Sequence, residues 1–114
     1  MLGSIWNGVH MSYVKDILQE EFERLQALSQ KYHAEIRLLP KGSVSIKKRS
    51  HKEYLYLAYR EKDRVKFEYV GPVISEKAMT VTKKIEQRKV YEQKLKQVKK
   101  DLVEIKKVLN GRKI

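Results

Sequence analysis

The chain has 114 residues, 41% hydrophobic and 35% charged, which fits one domain and excludes wholesale disorder while implying a heavily charged surface. Its formal net charge is +12, from 26 Lys+Arg against 14 Asp+Glu, and it contains no cysteine. A disulfide framework and a thiolate metal site are therefore excluded, a reducing cytoplasm is the expected setting, and no apolar run approaches the ~18–20 residues that span a bilayer.

Residues 1–10 (MLGSIWNGVH) differ in character from the remainder of the chain, and a second methionine stands at Met11. Gly-Ser near the start and His-Met at the junction are what cloning sites leave, so residues 1–10, Trp6 included, read as a vector-derived remnant; a native N-terminal arm is the competing reading. Residues 11–114 are expected to form a single α+β domain.

From 11 to 32 the pattern is helical, with Met11, Val14, Leu18, Leu25, Leu28 and Tyr32 on one stripe and Phe22 beside it. Ser12 is the expected N-cap. His33–Leu39 turns towards alternation, as a short strand or irregular connector would, and Pro40-Lys41-Gly42 breaks the chain.

Three strand-like runs occupy 43–70: Ser43–Lys48, Glu53–Arg60 and Val65–Val70, joined by the short polar connectors Arg49–Lys52 and Glu61–Arg64. They predict a three-stranded antiparallel meander. The middle run is apolar on both sides, as a central strand covered on both faces would be. Val44, Ile46, Leu55, Leu57, Tyr59, Val65, Phe67 and Tyr69 are assigned to the core face. Ser43, Ser45, Lys47, Tyr54, Tyr56, Arg60 and Lys66 are assigned to the other.

Gly71-Pro72 is expected to end the sheet, and 75–109 reads as one long helix capped by Ser75. Its stripe is Val81, Ile85, Tyr91, Leu95, Val98, Leu102, Ile105 and Leu109. The part Leu95, Val98, Leu102, Ile105 and Leu109 keeps the three-four spacing of a coiled-coil seam. At ~1.5 Å per residue this helix would run about 52 Å against about 31 Å for the first. The excess seam would meet the sheet, a second copy in a homodimer, or another protein.

Charge is distributed unevenly along these elements: residues 1–34 carry a net −1, 35–70 a net +5 and 71–114 a net +8. Cations on the sheet and the last helix point to a polyanion, nucleic acid above all, with DNA preferred to RNA and an acidic protein as the alternative. The candidate contacts are Lys47, Lys48, Arg49, Lys52, Arg60 and Lys66 for the backbone, with Tyr54 and Tyr56 as apolar or stacking groups. The plainer reading makes Tyr54 and Tyr56 good strand formers covered by a helix.

Catalysis is not expected. His10, His33 and His51 are single and dispersed, the acids mostly neighbour a Lys or Arg, and no GxGxxG, P-loop or GxSxG occurs. No catalytic residue, metal or cofactor is assigned. Gly42-Ser43-Val44, then Tyr54-x-Tyr56-Leu57-x-Tyr59-Arg60, then Val65-Lys66-x-x-Tyr69-Val70-Gly71, with a Lys/Glu-rich helix after them, resembles a group of small uncharacterised prokaryotic proteins over about 40–110. A similar hairpin occurs near the start of some transposases. The resemblance implies a bacterial or archaeal protein linked to mobile elements or toxin–antitoxin operons. Two functions are expected from these features: a non-enzymatic nucleic-acid-binding accessory protein, or an interaction module such as an antitoxin or assembly subunit.

Overall fold

A computed structural model describes the backbone of residues 2–111 and the side chains of 13–111. In chain order the elements are helix α1 (Leu2–Leu38), strands β1 (Ser43–Arg49), β2 (Lys52–Glu61) and β3 (Arg64–Pro72), and helix α2 (Glu76–Leu109). The chain divides into two compact units, residues 1–33 with 93–114 and residues 34–92. Among the described residues no helix is long and apolar enough to cross a membrane.

The first unit is built from two helical stretches. Leu25 of α1 and Leu95 and Val98 of α2 are buried, and Val14, Leu18, Leu28, Leu102, Ile105 and Leu109 are half-buried, so both stripes face inward as their periodicity requires. On the outer side Arg24 donates to Glu21, one bond at 3.0 Å, and this guanidinium holds the Glu21 carboxyl below its ordinary range, chiefly through the hydrogen bond.

α1 is longer than the expected 11–32. It spans 37 residues, about 55 Å, against 34 residues and about 51 Å for α2. The difference in length expected between the two helices is therefore not seen. Ser12 lies inside the helix rather than capping it, and His33–Leu38 continues it. The alternation seen there is short enough to fit either period, and nothing before Pro40 forces the chain out of a helix. The side chains of Trp6, His10, Met11 and Ser12 lie outside the described residues, as do those of the whole 1–10 segment read as vector-derived.

The second unit carries the sheet, in the order β1-β2-β3, with both pairs antiparallel. Leu55, Ala78 and Ile85 are its buried side chains. Each hairpin closes over two residues. Ser50 and His51 both take positive φ (46° and 71°), as a type I′ turn demands, and Lys62 does so at 57° in the second turn. β3 runs past the expected end through Gly71 and Pro72, across an irregularity opposite Leu55/Tyr56.

Two devices join this unit's sheet and helices. Gly42 sits at φ +109°, where an added Cβ would lie 2.1 Å from the carbonyl oxygen of Ala58. Ser75 caps α2 as expected: its Oγ accepts from the Ala78 amide at 3.2 Å and donates to the Pro72 carbonyl at 2.6 Å.

Candidate nucleic-acid interface

Register decides which side chains share a face, because residues paired across an antiparallel ladder point the same way. Ser45 pairs with Tyr56 and Lys47 with Tyr54; Tyr56 pairs with Tyr69, Ala58 with Phe67 and Arg60 with Val65. One face therefore carries Ser43, Ser45, Lys47, Arg49, Lys52, Tyr54, Tyr56, Arg60, Val65, Phe67 and Tyr69. The other carries Val44, Ile46, Lys48, Glu53, Leu55, Leu57, Tyr59, Glu61, Arg64, Lys66 and Glu68.

This corrects the sequence assignment of β3. Val65, Phe67 and Tyr69 join the tyrosines instead of the core, and Lys66 moves to the Leu57 face. The cause is the two-residue turn at Lys62-Asp63, which places Glu61 opposite Arg64 and so fixes the pleat of the rest of β3. Phe67 and Tyr69 are 53% and 52% exposed and Tyr54 and Tyr56 half-buried, while Leu55 on the opposite face is 2% exposed.

The charges sort with the faces. Lys47, Arg49, Lys52 and Arg60 stand on the tyrosine face, and among the described strand residues no carboxylate joins them. Glu53, Glu61 and Glu68 all lie on the other face, where Lys48, Arg64 and Lys66 balance them; Lys66 Nζ is 3.0 Å from Glu61. Anions approaching the first face meet attraction without local opposition.

The rings on this face form a cluster. Tyr56 meets Tyr69 edge-on with centroids 5.4 Å apart, and Tyr54 meets Tyr69 at 6.2 Å and a tilt of 50°. Lys47 Nζ lies over both Tyr56 (4.7 Å) and Phe67 (4.8 Å), a cation–π arrangement that draws the ammonium onto the apolar surface. Beside it Arg49, Ser50, Lys52, Tyr54, Tyr56 and Tyr69 line a hollow of about 530 Å³. Exposed rings rimmed by polar groups of one sign make this face the candidate interaction surface.

Of the expected contacts, Lys47, Arg49, Lys52, Tyr54, Tyr56 and Arg60 share one face, with Arg60 at the far end of β2 from Lys52, whereas Lys48 and Lys66 lie on the other. Phe67 and Tyr69 belong to the site although sequence reasoning placed them in the core. Loop length was the signal that could have found them: four residues between Arg60 and Val65 already pair those two and put them on one face. Arg88, one of the cations on the last helix, is not available to a ligand, since its Nη1 donates to the carbonyls of Ile36 (2.6 Å) and Leu39 (2.7 Å). In the seam, Leu95 and Val98 are already buried within the chain, while Leu102, Ile105 and Leu109 keep part of their surface in water.

No group of three or more His, Cys, Asp or Glu among the described residues could hold a metal ion. No curated protein and no solved structure matches the chain. A family model described as a domain of unknown function, DUF6788, matches residues 13–78. The match begins and ends earlier than the expected resemblance over 40–110, taking in α1 from Tyr13, the whole sheet and the first turn of α2, and no match shows the likeness to transposases. Because it covers more than half of the chain, the protein belongs to this uncharacterised family, DUF6788.

Proposed function

We propose that the protein is a non-enzymatic nucleic-acid-binding accessory protein, with DNA the first candidate, and that the tyrosine face of its sheet is the binding surface. The observation that carries this reading is the sorting of charge: cations and exposed rings share one face, and the strand carboxylates lie on the other. Phosphates would engage Lys47, Arg49, Lys52 and Arg60, while the rings supply sequence-tolerant contact with sugars or bases.

A fluorescence anisotropy titration of labelled DNA in rising salt tests the reading. Four phosphate contacts give a slope near −4 in log–log form, so affinity should fall roughly a hundredfold between about 50 and 200 mM salt. Binding no tighter than micromolar at low salt, with a flat salt response, would defeat it.

A second reading draws on the far end of α2. Leu102, Ile105 and Leu109 are half-buried and Val103 is 54% exposed, which suits a coiled-coil contact with a second copy or with an acidic partner protein. Light scattering decides between a monomer, which removes the homodimer, and a dimer dissociated by Val103→Glu.

A further inference from the structure

The hollow on the tyrosine face has a more specific use, and this inference rests on the nucleic-acid reading above. Its volume of about 530 Å³ lies within the range of small-ligand sites. Its walls divide by chemistry. Arg49 and Lys52, paired directly across the Ser50–His51 turn, line the hollow with Ser50 at the hairpin end, and Tyr54, Tyr56 and Tyr69 line it further along the strands. Cation and hydroxyl beside aromatic rings are the two halves of nucleotide recognition, one for the phosphate and one for the base.

The ring geometry then separates paired from unpaired bases. Within a duplex the π-faces of the bases are stacked against one another, and a protein in either groove meets only their edges. The three tyrosines do not form a flat floor that could lie along such a groove: Tyr69 stands at 62° to Tyr56 and at 50° to Tyr54. A base stacked on one ring meets the next ring near its edge, the offset arrangement aromatic groups favour. Lys47 already lies over Tyr56 and Phe67, and of the two other rings Tyr54 is half-buried while Tyr69 has half its surface in water, so Tyr69 offers a base the most open ring.

We infer that the hollow holds one unpaired nucleotide of a single strand, its base stacked on Tyr69 and its phosphate between Arg49 and Lys52. The strand would continue across the sheet towards Arg60, which lies on the same face.

The test compares labelled oligothymidylate and oligouridylate, each about twelve nucleotides long, with a duplex of equal length at low salt. One single-stranded probe at least should bind about tenfold tighter than the duplex, and the stronger of the two identifies the sugar preferred. Tyr69→Leu, which keeps apolar bulk without a ring, should weaken the single strand by about tenfold and the duplex by no more than about twofold, whereas Tyr69→Phe should bind the single strand as the parent does. Tyr69 is exposed enough for both variants to fold. A duplex bound as tightly as the single strands, or a single strand indifferent to Tyr69→Leu, overturns the inference while leaving the sheet as a DNA surface. If no probe binds, the underlying nucleic-acid reading fails and the hollow's assignment fails with it.

Discussion

Arg88 holds the carbonyl oxygen of Ile36 at 2.6 Å, across 52 residues of sequence, and the same Nη1 reaches Leu39 at 2.7 Å. The last carbonyls of a helix have no partner within it, and a cation there also suits the negative end of the helix dipole. The side chain is 14% exposed, and its Nε lies 3.7 Å from the carboxylate of Glu92. Replacing Arg88 by Met keeps much of the packing and removes the donor, leaving the Leu39 carbonyl without it and the Ile36 carbonyl with only the Leu39 amide at 3.2 Å. The expected cost is roughly 2–3 kcal/mol, read as a lower urea midpoint at unchanged slope. Glu92→Gln should cost far less, because that partner is mostly in water.

The opposed charges of the two sheet faces give a sharper comparison between neighbours. Lys47→Glu should weaken DNA binding more than tenfold and lower the salt slope by at least about one unit, since a phosphate contact is replaced by repulsion. Lys48→Glu makes the same change one residue on and on the opposite face, and should have a much smaller effect. Equal losses from the two variants would mean that binding tracks net charge and not the tyrosine face.

Gly42→Ala should be among the most damaging single changes. The new methyl would meet the Ala58 carbonyl oxygen at 2.1 Å, and φ is +109°, a conformation L-residues rarely adopt. Roughly 3 kcal/mol or more is expected, visible as a large drop in Tm or loss of soluble protein.

The first hairpin turn offers the opposite outcome. Ser50 and His51 occupy left-handed positions that Asn-Gly fills with less strain. The double change Ser50→Asn, His51→Gly should stabilise the protein by about 1 kcal/mol, a rise of several degrees in Tm by calorimetry.

Leu55 and Ile46 are paired across β1 and β2 on one face, yet Leu55 is buried and Ile46 is 52% exposed. Leu55→Ala should cost about 2–5 kcal/mol and Ile46→Ala less than about 1 kcal/mol by denaturant unfolding. Similar values would place the core elsewhere.

The meander and the second helix were legible in the sequence because alternation and three-four spacing are strong local signals there. Val81, Ile85, Leu95 and Val98 all face inward, as their spacing requires. Two features needed more than periodicity. Arg88 sits where the stripe skips a beat between Ile85 and Tyr91, and only the docked end of α1 explains why a cation fills that place. The core assignment of Phe67 and Tyr69 rested on hydrophobicity, whereas the turn before them had already determined their side of the sheet. The extent of α1 was illegible for a simpler reason: His33–Leu38 is too short to show which period it obeys.

Surface loops ordinarily gain and lose residues with little penalty, so their lengths drift among relatives. The Ser50-His51 and Lys62-Asp63 links should not share that freedom. Where the two-residue turn is kept, adding one residue beside the second would turn β3 over, exchanging Phe67 and Tyr69 for Lys66 and Glu68 and bringing a carboxylate to the cationic side. Changes by two residues would leave the pattern intact. Among relatives of this protein that keep the two-residue turns, insertions beside these links are therefore expected in even steps.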